Sequence, residues 1–233
     1  MGLAVILAGA GDGRRMGALG PKLLLDVGGR AALSRVVDTF RTVGAVREIV
    51  AVVPPALLAE AERALEAPPH ARPVRVAAVP GGATRQESVR LGLGALTLSL
   101  PFVAVHDVAR VLVKQALIER VLAAARASGA AVPALPIHDS VKEVTSGRVV
   151  RSIPREKLQA AQTPQIFAGD ILARAHALAL AEGVVGTDDA MLVERMGVEV
   201  VVVPGDPSNL KLTEPADLIV LEALLQAETR AEA

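Results

Sequence analysis

A glycine-rich segment with two nearby cations lies close to the N-terminus of the chain. Residues 8–17 read AGAGDGRRMG, and Pro21 and Lys22 follow shortly after them. The alternating glycines allow backbone N–H groups to approach an anion closely. Arg15 and Lys22 place fixed positive charge beside those donors. The segment therefore predicts a binding site for a phosphate-bearing ligand, and a solvated basic turn is the alternative interpretation.

Two common phosphate-binding motifs do not fit this segment. The dinucleotide motif G-x-G-x-x-G requires a third glycine at the position that Met16 occupies. The Walker motif requires a lysine between a glycine and a serine or threonine, but Lys22 follows a proline and precedes a leucine. The predicted site therefore belongs to neither of these two classes.

Six further segments combine charged, hydroxyl and amide side chains with short turns. They read GGATRQESV at residues 81–89, HDVAR at 106–110, DSVK at 139–142, TPQ at 163–165, GTDDA at 186–190 and NLK at 209–211. With the glycine-rich segment, and in this order, they resemble the 2-C-methyl-D-erythritol 4-phosphate cytidylyltransferase family, whose members are nucleotidyltransferases with a glycosyltransferase-A-like fold. The first segment alone is typical of the wider superfamily, whereas the ordered set runs nearly end to end and is much more specific.

The resemblance implies a reaction between two phosphate-bearing substrates. The phosphate of methylerythritol phosphate attacks the α-phosphorus of CTP and expels pyrophosphate, a step of non-mevalonate isoprenoid precursor biosynthesis. A phosphate monoester is mostly dianionic at pH 7, because its second pKa is about 6, so this nucleophile needs no general base. Cations and N–H groups directed at the phosphates are then expected to carry the catalysis. The resemblance also implies Mg²⁺ as cofactor and a homodimer.

Individual residues match functional positions of the family. Those matching catalytic cations are Arg15, Lys22, Arg155 and Lys211. Those matching CTP-binding positions are Ala8, Gly9, Ala10, Gly11, Gly13, Gly82, Ser88, Asp107 and Val108. Those matching acceptor-binding positions are Asp107, Arg110, Ser140, Arg155, Thr163, Thr187 and Lys211. Asp107 is also the implied protein ligand of Mg²⁺, which the CTP phosphates would mainly hold.

The chain departs from the family pattern at Val108, Val111 and Ser140, where the family usually has alanine, proline and threonine. A ribitol 5-phosphate cytidylyltransferase, which shares much of the pattern, therefore stays open as an alternative. A molybdopterin nucleotidyltransferase shares the glycine-rich loop, but residues 106–110 and 163–165 argue against it. Retention of both Arg15 and Lys22 argues against a non-catalytic nucleotide-binding subunit.

Short apolar runs alternate with helical patterns along the chain. The runs are continuous in hydrophobicity, as expected for strands buried on both faces of a parallel sheet. Predicted strands are 3–8, 48–53, 74–79, 102–106, 130–135 and 198–203, and predicted helices are 31–43, 56–65, 85–96, 115–127, 171–181 and 215–229. This alternation predicts a single α/β domain, residues 1–233, with a Rossmann-like, doubly wound and mostly parallel sheet. Its ligands should bind beyond the carboxyl ends of the strands.

One stretch interrupts the alternation. Residues 140–144 and 148–153 have the pattern of two strands, and Ser146-Gly147 between them is a tight-turn signal. A hairpin at this point has no place in a parallel sheet, so we interpret residues from about 137 to 160 as a projecting arm. Projecting arms are commonly buried against a partner subunit, which agrees with the implied homodimer.

Composition narrows the classes of protein. The 233 residues include 25 basic and 25 acidic side chains, three Phe, and no Trp, Tyr or Cys. Balanced charge and few aromatic rings give no support for nucleic-acid binding, and the lack of cysteine excludes disulfide scaffolds and thiolate sites. The charge-free run at 91–105 is too short for a membrane span and contains Pro101. We therefore expect a cytoplasmic protein without nucleic-acid or membrane partners.

Overall fold

Ten strands and seven α-helices are present in the computed structural model, which describes residues 2–11, 20–68 and 70–232. The strands are β1 (Leu3–Ala8), β2 (Val46–Val53), β3 (Arg75–Pro80), β4 (Phe102–Asp107), β5 (Ala130–Pro136), β6 (Val141–Thr145), β7 (Arg148–Ile153), β8 (Gln159–Ala161), β9 (Gln165–Ala168) and β10 (Val201–Pro204). The helices are α1 (Ala32–Thr42), α2 (Leu58–Ala64), α3 (Arg85–Ala95), α4 (Gln115–Ser128), α5 (Gly169–Glu182), α6 (Asp189–Glu194) and α7 (Pro215–Glu232).

The central sheet has the strand order β10-β5-β9-β4-β1-β2-β3, and β8 pairs with β5 outside this path. All neighbouring pairs are parallel except those that involve β8 and β9. The predicted α/β class with a doubly wound, mostly parallel sheet is therefore confirmed. The two antiparallel strands β8 and β9 were not predicted, because they are only three and four residues long.

Helices cover both faces of this sheet. Alternate residues of β1 point to opposite faces, as the two-residue period of a strand requires. Val5 and Leu7 pack on one face with residues of α1, α2 and α4. Ala4 and Ile6 pack on the other face with residues of α3, α5 and α6. Because β1 is buried on both sides, its sequence is an unbroken apolar run, which explains why it could be predicted.

The predicted hairpin is present and lies outside the central sheet. Its strands β6 and β7 pair only with each other in the described part of the chain. Ser146 and Gly147 form the turn, both with positive φ. The predicted limits of the arm, 137–160, also include the start of β8, where Gln159 and Ala160 pair with β5 in the main sheet.

The other boundaries follow the predictions closely. β2 begins two residues earlier than predicted and β10 three residues later, whereas α5 is extended at both ends. The short helix α6 was not predicted, because its polar start resembles a loop. None of the helices in the described ranges combines the length and apolar composition that crossing a bilayer requires.

A close approach between α3 and the sheet depends on Gly92. A Cβ atom at this position would lie 2.7 Å from Ile6 Cγ2 and 2.9 Å from Val52 Cγ2, closer than packed carbon atoms come. Gly94 lies in the same helix, and a Cβ atom there would have no neighbour within 4 Å. We therefore expect Gly92→Ala to be less stable to urea than Gly94→Ala by about 1–3 kcal/mol, the usual cost of overpacking, since both gain the same helix propensity. Equal stability of the two variants would contradict this packing.

Candidate active site

An open cleft of about 590 Å³ lies at the carboxyl ends of β1 and β4. The sheet order reverses here, because β2 and β3 follow on one side of β1 while β4 lies on the other. Open α/β sheets bind their ligands at such a reversal. Sequence-predicted residues that line the cleft are Ala8, Gly9, Ala10, Gly11, Lys22, Gly82, Ser88, Asp107, Val108 and Lys211. The other lining residues are Leu23, Ala83, Thr84, Arg85 and Ala109.

Two glycine-containing loops meet at one wall of the cleft. A Cβ atom on Gly81 would lie 2.3 Å from the Cβ of Ala10, so only glycine allows the loops to approach this closely. Ser88 is buried below them. Its hydroxyl accepts the N–H of Gly82 at 3.1 Å and donates to the carbonyl of Thr84 at 2.8 Å. Ser88 therefore fixes the loop whose backbone lines the cleft.

The N-terminus of α3 is capped by two reciprocal hydrogen bonds. Thr84 Oγ1 accepts the N–H of Glu87 at 3.0 Å, and Glu87 Oε2 accepts the N–H of Ala83 at 2.8 Å. Such caps satisfy the unpaired N–H groups of a first helical turn. The cap places Arg85, the first helical residue, at the wall of the cleft.

Asp107 is a buried carboxylate that pairs with two of the cations of the cleft. It ends β4, its side chain is 9% exposed, and its N–H donates to Thr163 Oγ1 at 3.0 Å. Arg85 Nε lies 3.0 Å from Oδ1, and Lys211 Nζ lies 2.6 Å from Oδ2. Burial by itself would raise the pKa of Asp107, but the two cations outweigh it and hold this pKa far below its usual range. Asp107 is therefore an anion at neutral pH.

The two lysines of the cleft are positioned by one short segment. Lys211 precedes Leu212 and Thr213, whose carbonyls accept hydrogen bonds from Lys22 Nζ at 2.9 and 3.1 Å. Asp217, in the first turn of α7, accepts from both the N–H and the hydroxyl of Thr213 at 2.6 Å. The start of α7 therefore holds the segment that brings Lys22 and Lys211 to the same cleft.

Several residues predicted to bind the acceptor lie away from the cleft wall. Arg110 donates to the carbonyl of Asn209 at 2.8 Å, and the hydroxyl of buried Thr163 contacts Asp107 and His106. Thr187 is exposed beside Met191. These side chains hold neighbouring segments in the structure, so their predicted contact with the acceptor stays a prediction.

Ser140 and Arg155 lie at the base of the hairpin and are exposed. Arg155 donates to the carbonyl of His138. Neither side chain lines the cleft of its own chain. The predicted residues Gly13 and Arg15 lie outside the described residues.

The prediction from sequence missed a buried charge network behind the cleft. Arg85 Nη1 lies 2.8 Å from Asp189 Oδ2, and His176 Nε2 lies 3.0 Å from Asp189 Oδ1. Residues Asp189 and His176 are 1% and 2% exposed. The sequence signals were the GTDDA and GGATRQESV segments, which contain Asp189 and Arg85 but do not show that these two side chains pair.

His106 is a packed residue that directly precedes the last residue of β4. Its ring is fully buried, lies edge-on to Phe40, and contacts Thr163 Oγ1 and the carbonyl of Arg110 through its two nitrogens. Burial lowers the pKa of His106 to about 4, and the nearby charge of Asp107 only partly offsets this. His106 is therefore neutral at neutral pH.

The sequence as a whole matches one family along nearly all of its length. The model of the 2-C-methyl-D-erythritol 4-phosphate cytidylyltransferase family matches residues 3–227. The chain belongs to this family. It is therefore a CTP-dependent cytidylyltransferase, one of the nucleotidyltransferases.

Relatives that carry the family name support this assignment over nearly their full length. The cytidylyltransferase of Bacillus licheniformis is 39% identical over 232 residues, which cover 100% of this chain and 99% of the relative. That of Symbiobacterium thermophilum is 44% identical over 229 residues, which cover 98% and 94%.

Solved structures of cytidylyltransferases have the same fold. The crystal structure of the Thermus thermophilus enzyme is 39% identical, with a TM-score of 0.79 over 97% of this chain and 100% of that one. The 4-diphosphocytidyl-2C-methyl-D-erythritol synthase of Anaerococcus prevotii is 29% identical, with a TM-score of 0.84 over 97% and 96%. The chain therefore shares its overall fold with these enzymes.

Burial of His106 predicts a pH dependence of stability. Its pKa is about 4 in the folded cytidylyltransferase and near 6.5 when unfolded. Between these values the unfolded chain binds a proton that the folded chain does not, so stability falls as the pH drops. The full shift corresponds to about 3 kcal/mol. We expect the free energy of unfolding, measured with urea, to be lower at pH 4.2 than at pH 6.5 by most of this amount.

The variant His106→Asn removes the titrating ring, so its stability should change much less across the same window. His70→Gln, at an exposed position, is the control and should keep the wild-type dependence. Asp107 contributes little here, because a carboxylate with a lowered pKa loses its stabilisation only as the pH falls through and below its unfolded value, about 3.9. A dependence in His106→Asn as steep as in the wild type would show that another group is responsible.

Proposed function

We propose that the cleft binds CTP and transfers its cytidylyl group to 2-C-methyl-D-erythritol 4-phosphate, giving 4-diphosphocytidyl-2-C-methyl-D-erythritol and pyrophosphate. This reaction belongs to non-mevalonate isoprenoid precursor biosynthesis. The observation that carries the proposal is the junction of the glycine-rich backbone at residues 8–11 with Lys22, Lys211 and Asp107 at the reversal of the sheet. A nucleoside triphosphate needs both kinds of group: close backbone approach and fixed positive charge.

The chemistry needs cations rather than a base. An oxygen of the acceptor phosphate forms a bond to the α-phosphorus, and the bond from that phosphorus to the bridging oxygen breaks, so pyrophosphate leaves with the electron pair. The attacking phosphate is already mostly dianionic, and no proton has to be removed from it. The main obstacle is the repulsion between the two anions, which Lys22 and Lys211 reduce at the cleft. Arg15, predicted from the sequence, would add a third cation.

The nucleoside is proposed to lie between the two glycine-containing loops. The backbone at residues 8–11 and at Gly82 lines this side of the cleft, and Ser88 holds Gly82 in place. Asp107, at the end of the neighbouring strand, is an acceptor suited to a ribose hydroxyl. Backbone donors and acceptors beside Gly82 would select cytosine from uracil at its exocyclic amine.

Mg²⁺ is proposed as a cofactor that arrives with the triphosphate. The described residues contain no cluster of three or more His, Cys, Asp or Glu side chains that could form a metal cage. Asp107 is the one carboxylate among the described residues lining the cleft. A single carboxylate suits Mg²⁺, which keeps several waters and binds mainly to substrate phosphates. The ion would supply further charge neutralisation at those phosphates.

The acceptor site is proposed to be completed by the arm of a second subunit. Ser140 and Arg155 lie at the base of the hairpin, away from their own cleft. The hairpin itself exposes Val144, Val149 and Val150, which are 54–62% exposed and would be covered in a dimer. A homodimer whose arms cross would bring Arg155 of one chain to the acceptor phosphate of the other. Burial of the hairpin in such a dimer would also explain why it lies outside the sheet.

The partners proposed for the chain are thus CTP, a polyol phosphate and a second copy of itself. CTP and phosphorylated polyols are made and used inside cells, which supports a cytoplasmic location. Ribitol 5-phosphate is a second candidate acceptor, because Ser140 and Val111 differ from the usual residues of the family.

The choice of substrates is tested by pyrophosphate release. With methylerythritol phosphate as acceptor, we expect release with CTP to be far faster than with UTP, GTP or ATP, because the backbone beside Gly82 reads the cytosine edge. With CTP, ribitol 5-phosphate should be the poorer acceptor. Equal turnover with GTP would contradict the proposed function, and faster turnover with ribitol 5-phosphate would replace the acceptor.

Crossing of the arms is tested by mixing two inactive variants. Lys22→Ala removes a cation from the cleft, and Arg155→Ala removes one from the arm. If the arms cross, each site of a dimer combines Lys22 of one chain with Arg155 of the other. In a mixed dimer, the site on the Arg155→Ala chain therefore has both native cations, and the site on the Lys22→Ala chain has neither. Random mixing gives about half mixed dimers, and activity should return to roughly a quarter of the wild type if the sites are independent.

Subunit exchange is checked by native mass spectrometry of differently tagged chains. Mixtures that exchange subunits but remain as inactive as either variant alone would show that Arg155 does not act across the dimer. A mixture of Lys22→Ala with itself, carrying the two tags, is the matched control and should stay inactive.

A further inference from the structure

The carboxylate of Asp107 has two cations that differ in how they are held. Arg85 reaches Asp107 with Nε at 3.0 Å and Asp189 with Nη1 at 2.8 Å, so its guanidinium bridges two buried carboxylates. Lys211 reaches Asp107 alone in the contacts described, at 2.6 Å, and its side chain is 42% exposed. The planar fork of arginine suits a bridge of this kind, whereas the ammonium group of lysine is a compact charge on a flexible stem.

Asp189 is itself held on both sides. Its Oδ1 lies 3.0 Å from His176 Nε2, and its Oδ2 accepts from Arg85. The other ring nitrogen of His176 is buried and has no hydrogen-bond partner within the described ranges, so this ring makes its polar contact with Asp189. The position of Asp189 follows from α6, where Asp188 caps the helix and the N–H of Ala190 donates to Gln165.

Because of these contacts, Lys211 and Arg85 differ in how readily they can leave Asp107 to bind an incoming anion. A phosphate that approaches the cleft competes with Asp107 for its partners. Lys211 is partly exposed and would give up a single contact, whereas Arg85 would have to give up charged hydrogen bonds to two buried carboxylates. Breaking such pairs is costly. Asp107 therefore keeps one cation after Lys211 has moved.

We infer that Asp189 is a positioning residue for the transfer reaction, because it anchors Arg85 on Asp107 so that Lys211 is the cation that moves to the substrate phosphate. His176 supports Asp189 in this role. The inference rests on the proposed function, since it assumes that Asp107 receives the ribose of CTP. It adds two residues outside the cleft, Asp189 and His176, to those on which nucleotide binding depends.

The test is steady-state kinetics of Asp189→Asn, which keeps the shape of the side chain and removes its charge. We expect the KM for CTP to rise about tenfold while kcat at saturating CTP changes less than threefold. Glu48→Gln is the matched control, because Glu48 is also a buried carboxylate with several hydrogen bonds, located at the start of β2, away from the cleft. Its stability should fall, but its KM for CTP should stay within twofold of the wild type.

A double-mutant cycle with Arg85→Lys identifies the route of the effect. Lysine keeps the charge but cannot bridge both carboxylates. In the Arg85→Lys background, Asp189→Asn should therefore change the KM for CTP by less than twofold. If the rise in the KM for CTP in the double variant equals the product of the rises in the two single variants, the inference is wrong. It is also wrong if Asp189→Asn alone leaves this KM within twofold of the wild type.

Two further measurements keep the test decisive. If Asp189→Asn does not fold, His176→Leu replaces it, and an unchanged KM for CTP in that variant overturns the inference, whereas a rise of about threefold supports it. If the KM for CTP rises equally in Glu48→Gln, the inference is overturned as well. Wild-type turnover of CTP with methylerythritol phosphate is the common reference: its failure would reject the proposed function, whereas normal turnover with an unshifted Asp189→Asn rejects this inference alone.

Discussion

The buried anion Asp107 is the constraint on which the rest of the site depends. A carboxylate removed from water needs charged partners of good geometry, and loss of one such partner typically costs about 3–5 kcal/mol. Here the partners come from α3 and from the segment before α7, so three distant parts of the chain must meet at the end of β4. The cap of α3, the contact of Gly81 with Ala10 and the segment held by Asp217 each fix one of these parts.

The described cleft contains more of the residues that match CTP-binding positions of the family than of those that match acceptor-binding positions. The residues that match CTP-binding positions contribute backbone from two loops, and Lys22, Lys211 and Asp107 line the same cleft. The groups that match acceptor positions are mostly elsewhere, some buried as supports of the cleft and some exposed near the hairpin. In the proposed function, a single chain thus supplies mainly the groups for CTP, and the arm of a second subunit supplies the remaining groups for the acceptor phosphate.

Sequence reasoning succeeded where a structural rule acts on neighbouring residues. β1 and β4 were predictable because burial on both faces demands continuous apolar residues, and the hairpin because Ser146 and Gly147 form a turn. β8, β9 and α6 were missed because they are short and their ends are polar. The resemblance to a family supplied candidate residues, but it could not show that Arg85 reaches an aspartate 104 positions away, since that contact exists only after folding.

The insertion of β9 between β4 and β5 has a consequence for the order in which the molecule can be assembled. A chain synthesised from its N-terminus completes β1 to β5 while the gap between β4 and β5 is still open, because β9 ends at Ala168. Until then both strands carry unpaired backbone groups, the condition that invites wrong partners. The chain between β5 and β9 contains the hairpin, so the hairpin is synthesised before β9. A nascent chain therefore exposes its hairpin and its incomplete sheet at the same time.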